Sequence, residues 1–286
     1  MSPELDFRID YLSDFSNLVM ILSGIDSKPR PWKMDFDIGD TTLKNLKKID
    51  REEYKAAEKR RRLGEDFEDW MESCDDYDFW PILEWLNSRY EVYWMDRMDE
   101  LETLRDEKEK FWNQKFSGFF GTVEEVTGLE WSKPKYVNIV SDTMFKGGCW
   151  DSFGRPVVYT GAYADRKMYS YVLPNELLHL LIEGDAIPDG FFGSEGVPDT
   201  ITHDVVESLI GLLLSEVSDM SFKDCLQYLT HAPDRRWLLV KQIIRNFEGG
   251  RDLMEMARDI RDSFDPELLK KYGKMCEMED TTSIND

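Results

Sequence analysis

Residues 175–179 read Asn-Glu-Leu-Leu-His and place three polar side chains in an otherwise leucine-rich segment. On an α-helix, Asn175 and His179 are four residues apart and Glu176 and His179 are three apart, so the three side chains occupy neighbouring positions. The surrounding leucines predict that this helix is buried. Because a buried carboxylate is costly unless it is paired or bound to a cation, we expect the polar strip to meet partners from another element.

A second polar strip lies further along the chain, in residues 203–207, His-Asp-Val-Val-Glu. His203 and Glu207 are again four residues apart, which puts them on one face of a helix. The connection between the two strips is long enough for a turn-rich loop and an antiparallel return. The three histidines of the chain, His179, His203 and His231, all lie in this C-terminal part.

Two strands are predicted ahead of the first strip. Residues 136–140, Tyr-Val-Asn-Ile-Val, alternate and are rich in β-branched side chains, and residues 156–163 have a similar composition. Pro156, at the start of the second strand, is compatible with an edge position. After the strands, the patterns predict helices over residues 173–182, 198–217, 221–230, 234–247, 251–263 and 266–272.

The N-terminal part has a different character. We predict a helix over residues 14–22, a loop over 27–40, and a highly charged helical region from about 50 to 131, with helices at 51–62, 65–72 and 81–87. Residues 90–116 carry apolar side chains at three- and four-residue steps and are predicted to form one long amphipathic segment. The expected organisation is therefore an N-terminal helical region (1–132), a C-terminal domain (133–275) and a polar tail (276–286).

The composition limits the classes of partner. There are 58 acidic and 36 basic residues, a net charge of -22, and such a surface repels nucleic-acid phosphates and anionic membranes. The N-terminus does not resemble a secretory signal, and the longest apolar runs are too short to span a bilayer. The four cysteines are widely separated, which suits a reducing compartment better than a disulfide framework. These features predict a cytoplasmic protein with no nucleic-acid or membrane partner.

From about residue 135 to 214 the chain resembles the gluzincin metallopeptidases, in which a strand precedes a helix bearing His-Glu-x-x-His and a later helix supplies a glutamate. The resemblance implies an α+β, helix-dominated fold with a zincin-like C-terminal domain and a small sheet. It also implies zinc as the cofactor, polarising the scissile carbonyl. It further implies a role for each matching residue: Glu176 as general base, His179 and Glu207 as metal ligands, His231 as a stabiliser of the oxyanion, and the strand edge at Tyr159, Gly161 and Ala162 as the place where a peptide substrate lies.

The sequence departs from that family at one critical position. Asn175 stands where the first metal-binding histidine is expected, and an amide oxygen is a poor zinc ligand beside an imidazole. His203 lies one turn before Glu207, so His179, His203 and Glu207 form an alternative ligand set. A further alternative needs no metal: Glu176 and His179 pair with each other, or with Asn175 and His203, as a satisfied polar layer in a helical core.

Two functions follow from the resemblance and its departure. The first is a pseudopeptidase, a scaffold that binds a peptide or protein partner through its strand edge or its N-terminal helices. We prefer it because removing one of three ligands normally leaves no competent site. The second is an active zinc-dependent peptidase with the altered ligand set and Glu176 as general base. The sequence contains no Gly-x-Ser-x-Gly elbow and no phosphate-binding loop, which weighs against a serine hydrolase of that type and against a P-loop NTPase.

Overall fold

The computed structural model describes residues 3–23, 44–50, 52, 54, 56, 80–144, 147–150, 155–188, 190–193, 198, 200–218, 220, 221, 225, 234–247 and 251–282. Within these residues helices dominate and a small four-stranded mixed sheet is present, so the expected helix-dominated α+β class is confirmed. No helix in these residues is long and apolar enough to cross a membrane.

The helices of the described chain are numbered in order. They are α1 (Tyr11–Ser23), α2 (Trp80–Asp96), α3 (Met98–Lys115), α4 (Phe119–Thr127), α5 (Arg166–His179), α6 (Thr200–Val217), α7 (Asp234–Asn246), α8 (Leu253–Asp262) and α9 (Pro266–Thr282). Helix α5 continues directly into a π-helix, Leu180–Ala186. The strands are β1 (Glu4–Arg8), β2 (Lys135–Ser141), β3 (Gly148–Trp150) and β4 (Val157–Gly161).

The chain forms two compact units that interleave along the sequence. The helical unit comprises Met1–Glu4, Lys115–Lys135 and Pro174–Asp286, and the sheet unit comprises Leu5–Gln114 and Tyr136–Leu173. The expected organisation into 1–132, 133–275 and 276–286 stays a prediction. Strand β1, from the start of the chain, lies beside β2 in the sheet.

The sheet has the strand order β1-β2-β4-β3. Strands β2 and β4 are parallel, with their register running from Val137 opposite Val157 to Ser141 opposite Gly161. Strand β3 is antiparallel to β4 and covers its other side. All five residues of β4 are buried, as expected for a strand that is paired on both sides.

The predicted substrate edge is therefore wrong. Tyr159 is opposite Ile139 on one side and Cys149 on the other, Gly161 is opposite Ser141, and the Ala162 N–H donates to the Ser141 carbonyl at 2.8 Å. The backbone groups that a peptide would use are already paired within the sheet. The edge position was predicted from Pro156. Because Pro156 lies just before β4, the sheet does not need an N–H from this residue, and a proline here is equally compatible with an interior strand.

Several helix predictions are confirmed, with revised bounds. Helix α1 covers the predicted 14–22, and the helix predicted over 81–87 is the first half of α2. The single segment expected over 90–116 is instead two helices that meet at Arg97, whose guanidinium lies 3.4 Å from an Asp142 carboxylate oxygen. The helices predicted at 51–62, 65–72 and 221–230 lie almost wholly outside the described residues.

The helical unit is organised around α6, which is buried along most of its length. Helices α4 and α7 pack against α6, and α7 also contacts α8 and α9. Helix α6 additionally contacts the π-helix that follows α5. This last contact brings the two polar strips of the sequence together.

Candidate functional site

The candidate site is formed by side chains from α5, the π-helix and α6, all within the helical unit. His179 is the last residue of α5 and Glu183 lies one turn later in the π-helix. The π-helical hydrogen bonding is shown by the Ile187 N–H, which donates to the carbonyl of Ile182, five residues earlier, at 2.6 Å. His203 and Glu207 come from the first two turns of α6.

These four residues form a closed arrangement that we call the His–Glu cluster (His179, Glu183, His203 and Glu207). Nδ1 of His179 lies 2.8 Å from Oε2 of Glu183, and Nε2 lies 3.4 Å from Oε1 of Glu207. Nδ1 of His203 lies 3.1 Å from Oε1 of Glu183, and Nε2 lies 3.8 Å from Oε1 of Glu207. The two imidazole rings stack with centroids 5.3 Å apart and planes inclined by 23°. Each ring therefore lies between the same two carboxylates.

The electrostatics of the cluster favour an ion-paired state in the absence of a cation. His179 is 1% exposed, and although burial disfavours its imidazolium, the hydrogen bonds to Glu183 and Glu207 raise its pKa to about 10. Burial by itself would raise the pKa of Glu183, but its contacts with the two histidines lower the pKa to about 2. The same balance holds the pKa of Glu207 well below its usual range, mainly through His179.

The donor set also fits a divalent metal ion. His179, Glu183 and His203 each offer one ligand atom, and these atoms all lie within 4.8 Å of one another. Zinc bonds of about 2.0–2.1 Å in a tetrahedron place neighbouring ligand atoms roughly 3.3 Å apart. On the Nδ1 side of the rings, the two nitrogen–oxygen distances to Glu183 are 2.8 Å and 3.1 Å, close to that value. Imidazole and carboxylate ligands suit several divalent metals and do not select zinc among them.

A second layer of polar contacts holds α6 in place. Arg236, on α7, lies 3.7 Å from Oε2 of Glu207 and 3.1 Å from Oδ1 of Asp204. The Tyr272 hydroxyl, on α9, donates to Oδ2 of Asp204 at 2.7 Å. Asp204 is only 1% exposed, and these partners offset the cost of burying its polar side chain. The cluster is thus supported from α7 and, through Asp204, from α9.

The structure brings together three of the residues predicted to bind metal, namely His179, His203 and Glu207. It adds Glu183, which the sequence analysis missed. A signal was present, because His179 and Glu183 have the same four-residue spacing as His203 and Glu207. Two such His-x-x-x-Glu strips on two contacting helices would have indicated the complete cluster.

Two further residues, Glu176 and His231, were predicted to take part in the site. Glu176 is buried, at 8% exposure, on α5 one turn before His179, and its role as general base stays a prediction. His231 lies outside the described residues, so its role in stabilising an oxyanion also stays a prediction.

Asn175 lies four residues before His179, where the gluzincin resemblance predicts a first metal ligand. It is 4% exposed, and its side-chain oxygen has no hydrogen-bond partner among the residues that the structure describes. An unsatisfied buried acceptor costs about 1–3 kcal/mol. Such a cost is unusual in a well-packed helix and marks the polar strip as a place where a donor or a cation would be stabilising.

Comparison of the chain with protein-family models, curated proteins and solved structures finds no match.

Proposed function

We propose that this protein is a metallopeptidase-like binding scaffold, in which His179, Glu183 and His203 hold a structural divalent metal ion without peptidase chemistry. One observation carries the proposal: one ligand atom from each of these three residues lies within 4.8 Å of the other two. The zincin-like origin of the helix pair is part of the proposal and is supported by the Asn-Glu-Leu-Leu-His sequence of α5 and by the approach of His179 to Glu207.

One metal ion can bind only one nitrogen of each imidazole. On the Nδ1 side of the two rings the ligands would be His179, His203 and Glu183. Glu207, on the Nε2 side, would accept hydrogen bonds that orient the rings. The side chain that the gluzincin resemblance aligns with the first peptidase ligand is Asn175, and an amide oxygen is a poor substitute for an imidazole.

Charge balance supports binding of a divalent cation. The carboxylates of Glu183 and Glu207 offset a charge of two when both imidazoles are neutral, so metal binding requires the imidazoles to release any proton they hold. A bound ion would cross-link the π-helix to α6. Without the ion, protonated His179 would link the π-helix to α6 through its contacts with Glu183 and Glu207.

A scaffold of this kind is proposed to act by binding a peptide or protein partner. The interior strand β4 is not available for such pairing. Among the described strands, β1 and β3 form the edges of the sheet, and β3 has only three residues. A helical surface is therefore a better candidate for the contact than addition of a strand.

A second candidate function, the active zinc peptidase, is favoured by one specific distance. Nε2 of His179 lies 3.4 Å from Oε1 of Glu207, close to the separation of two ligands of one tetrahedral ion. Meanwhile Nδ1 of His179 contacts Glu183 at 2.8 Å, which matches the carboxylate that commonly orients a metal-binding imidazole. In this alternative Glu183 is a positioning residue and Glu176 is the base.

One experiment separates the two functions. Metal content is measured by elemental analysis on protein purified without chelators, and zinc binding is measured by calorimetry. Hydrolysis of a fluorogenic casein substrate is then followed with the native protein and with the Glu176→Gln variant. The proposal expects one metal ion per chain, loss of that ion in His179→Ala, and no hydrolysis that depends on Glu176. Failure of the native chain to bind any divalent metal would refute the structural centre. Hydrolysis abolished by Glu176→Gln, with metal retained, would establish the peptidase.

A further inference from the structure

The sheet unit contains a cavity of about 290 Å³, at the lower end of the volumes that hold small ligands. Its walls come from α3 and from the segment that runs from the end of β4 into the first turn of α5. The lining residues that matter most are Glu107, Lys108, Phe111, Asp165, Arg166 and Tyr169. The cavity lies wholly within the sheet unit and shares no residue with the His–Glu cluster.

Lys108 is the unusual member of this lining. It is 7% exposed and takes a core-facing place on α3, following Leu101 and Leu104 and preceding Phe111 at helical spacing. Its Nζ donates to the Ala164 carbonyl at 2.9 Å. Among the described residues no carboxylate lies within the 4.0 Å of an ion pair. A buried ammonium without an ion-pair partner is costly.

The burial of Lys108 makes its ammonium group easier to deprotonate. Burial lowers the pKa of Lys108 to about 8, against the opposing effect of Glu107 and Asp165. The amine also lies 4.2 Å from the centroid of the Tyr169 ring. A desolvated lysine against an aromatic wall is the environment in which enzymes use the ε-amine as a nucleophile toward carbonyl compounds.

The rest of the lining indicates the class of ligand. The rings of Phe111 and Tyr169 are arranged edge to face with their centroids 6.3 Å apart. They give the cavity an apolar surface. At the rim, the exposed acidic residues Glu107 and Asp165 outnumber the one basic residue, Arg166, whose guanidinium carbon lies 5.9 Å from the Phe111 ring centroid. This charge balance, in a chain of net charge -22, disfavours an anionic ligand and favours a neutral one.

We propose that this cavity binds a small neutral aldehyde or ketone with an aromatic or aliphatic body, and that Lys108 forms a reversible imine with it. The amine nitrogen attacks the carbonyl carbon, a carbon–nitrogen double bond replaces the carbon–oxygen double bond, and the carbonyl oxygen leaves as water. Hydrolysis reverses the step and regenerates the amine. The Ala164 carbonyl accepts one N–H of Lys108 and leaves the nitrogen lone pair available for attack.

The test uses benzaldehyde as the probe and sodium cyanoborohydride to reduce any imine to a stable benzylamine. The full-length protein is treated at pH 8 with limiting benzaldehyde, and the modified lysines are identified by peptide mapping with mass spectrometry. We expect Lys108 to be labelled about tenfold or more faster than Lys110, an exposed lysine on the same helix that does not line the cavity. The matched variant Lys110→Arg retains the labelling of Lys108, and Lys108→Met loses it.

Two further measurements keep the outcome decisive even if Lys108→Met folds poorly. In protein denatured with urea, Lys108 should lose its advantage over Lys110, because the advantage depends on the folded cavity. Benzoate, which has the same ring with a carboxylate, should not protect Lys108. Labelling of Lys108 no faster than that of Lys110 would overturn the proposal. A marked loss of Lys108 labelling in the presence of benzoate would also overturn it, because the cavity would then bind an anion through an ion pair.

Discussion

Nδ1 of His203 lies 3.1 Å from Oε1 of Glu183, although the two residues belong to different helices and are separated by a loop. Glu183 thereby contacts both histidines of the cluster, since its other oxygen lies 2.8 Å from His179. The carboxylate of Glu183 therefore joins the π-helix to α6, alongside the contact between His179 and Glu207. Its removal is the most direct test of the cluster.

The Glu183→Gln variant is expected to lose about 3 kcal/mol of the free energy of unfolding in the presence of a chelator, because breaking a buried ion pair leaves an uncompensated charge. Urea unfolding followed by circular dichroism measures the loss. Glu216→Gln, at an exposed position of α6, is the control and should change stability by less than about 0.5 kcal/mol. Equal effects of the two substitutions would show that Glu183 is not paired in solution.

The Asn175→His variant is expected to bind zinc on the order of a hundredfold more tightly than the native chain, because it restores an imidazole four residues before His179. Competition with a chromogenic chelator measures the affinity. Asn175→Gln, which adds comparable bulk without an imidazole, should bring no gain. If neither variant binds more tightly, α5 does not correspond to a zinc-peptidase helix.

Asp14, in the sheet unit, is expected to make stability depend on pH. It is fully buried, and burial, with a smaller effect of Asp142, raises its pKa from 3.8 to about 7 despite hydrogen bonds from Ser141 and Trp94. Between about pH 4 and 7 the folded state therefore holds a proton that the unfolded state has released. The contribution of Asp14 to stability must fall as the pH rises through this window.

The Asp14→Asn variant tests this pH dependence. Because the substitution alters hydrogen bonds at every pH, the informative quantity is the change in the free energy of unfolding between pH 5 and pH 8. We expect native protein to lose more stability than the variant over that interval, as measured by urea unfolding. A larger loss in the variant would contradict the raised pKa.

Tyr272→Phe is expected to cost about 2 kcal/mol, since the hydroxyl donates to the buried Asp204 carboxylate and hydrogen bonds to charged groups are worth about 1.5–3 kcal/mol. Arg236 remains beside Asp204 and should limit the loss. Thermal unfolding of the variant measures it, with Lys270→Ala, at an exposed position of α9, as the control. A loss no larger than that of the control would place Tyr272 outside the support of α6.

Local sequence patterns predicted which segments form helices and strands better than they predicted which segments pack together. The strand at Val157–Gly161 was recognised from its composition, but its interior place depends on β3, a three-residue strand that carries almost no periodic signal. The spacing of apolar residues likewise did not predict the break between α2 and α3. At that break, Arg97 contacts Asp142, a residue distant in sequence.

By itself, the sequence predicted that Glu176 lies beside His179 and Glu207 beside His203, because the helical repeat places residues three and four apart on one face. It also predicted, through the gluzincin resemblance, that Asn175 stands where a first metal ligand is expected. Only the tertiary structure decided which carboxylates the two imidazoles share. That choice depends on how the π-helix packs against α6, and such packing is fixed by contacts between segments far apart in the chain, which local spacing does not encode.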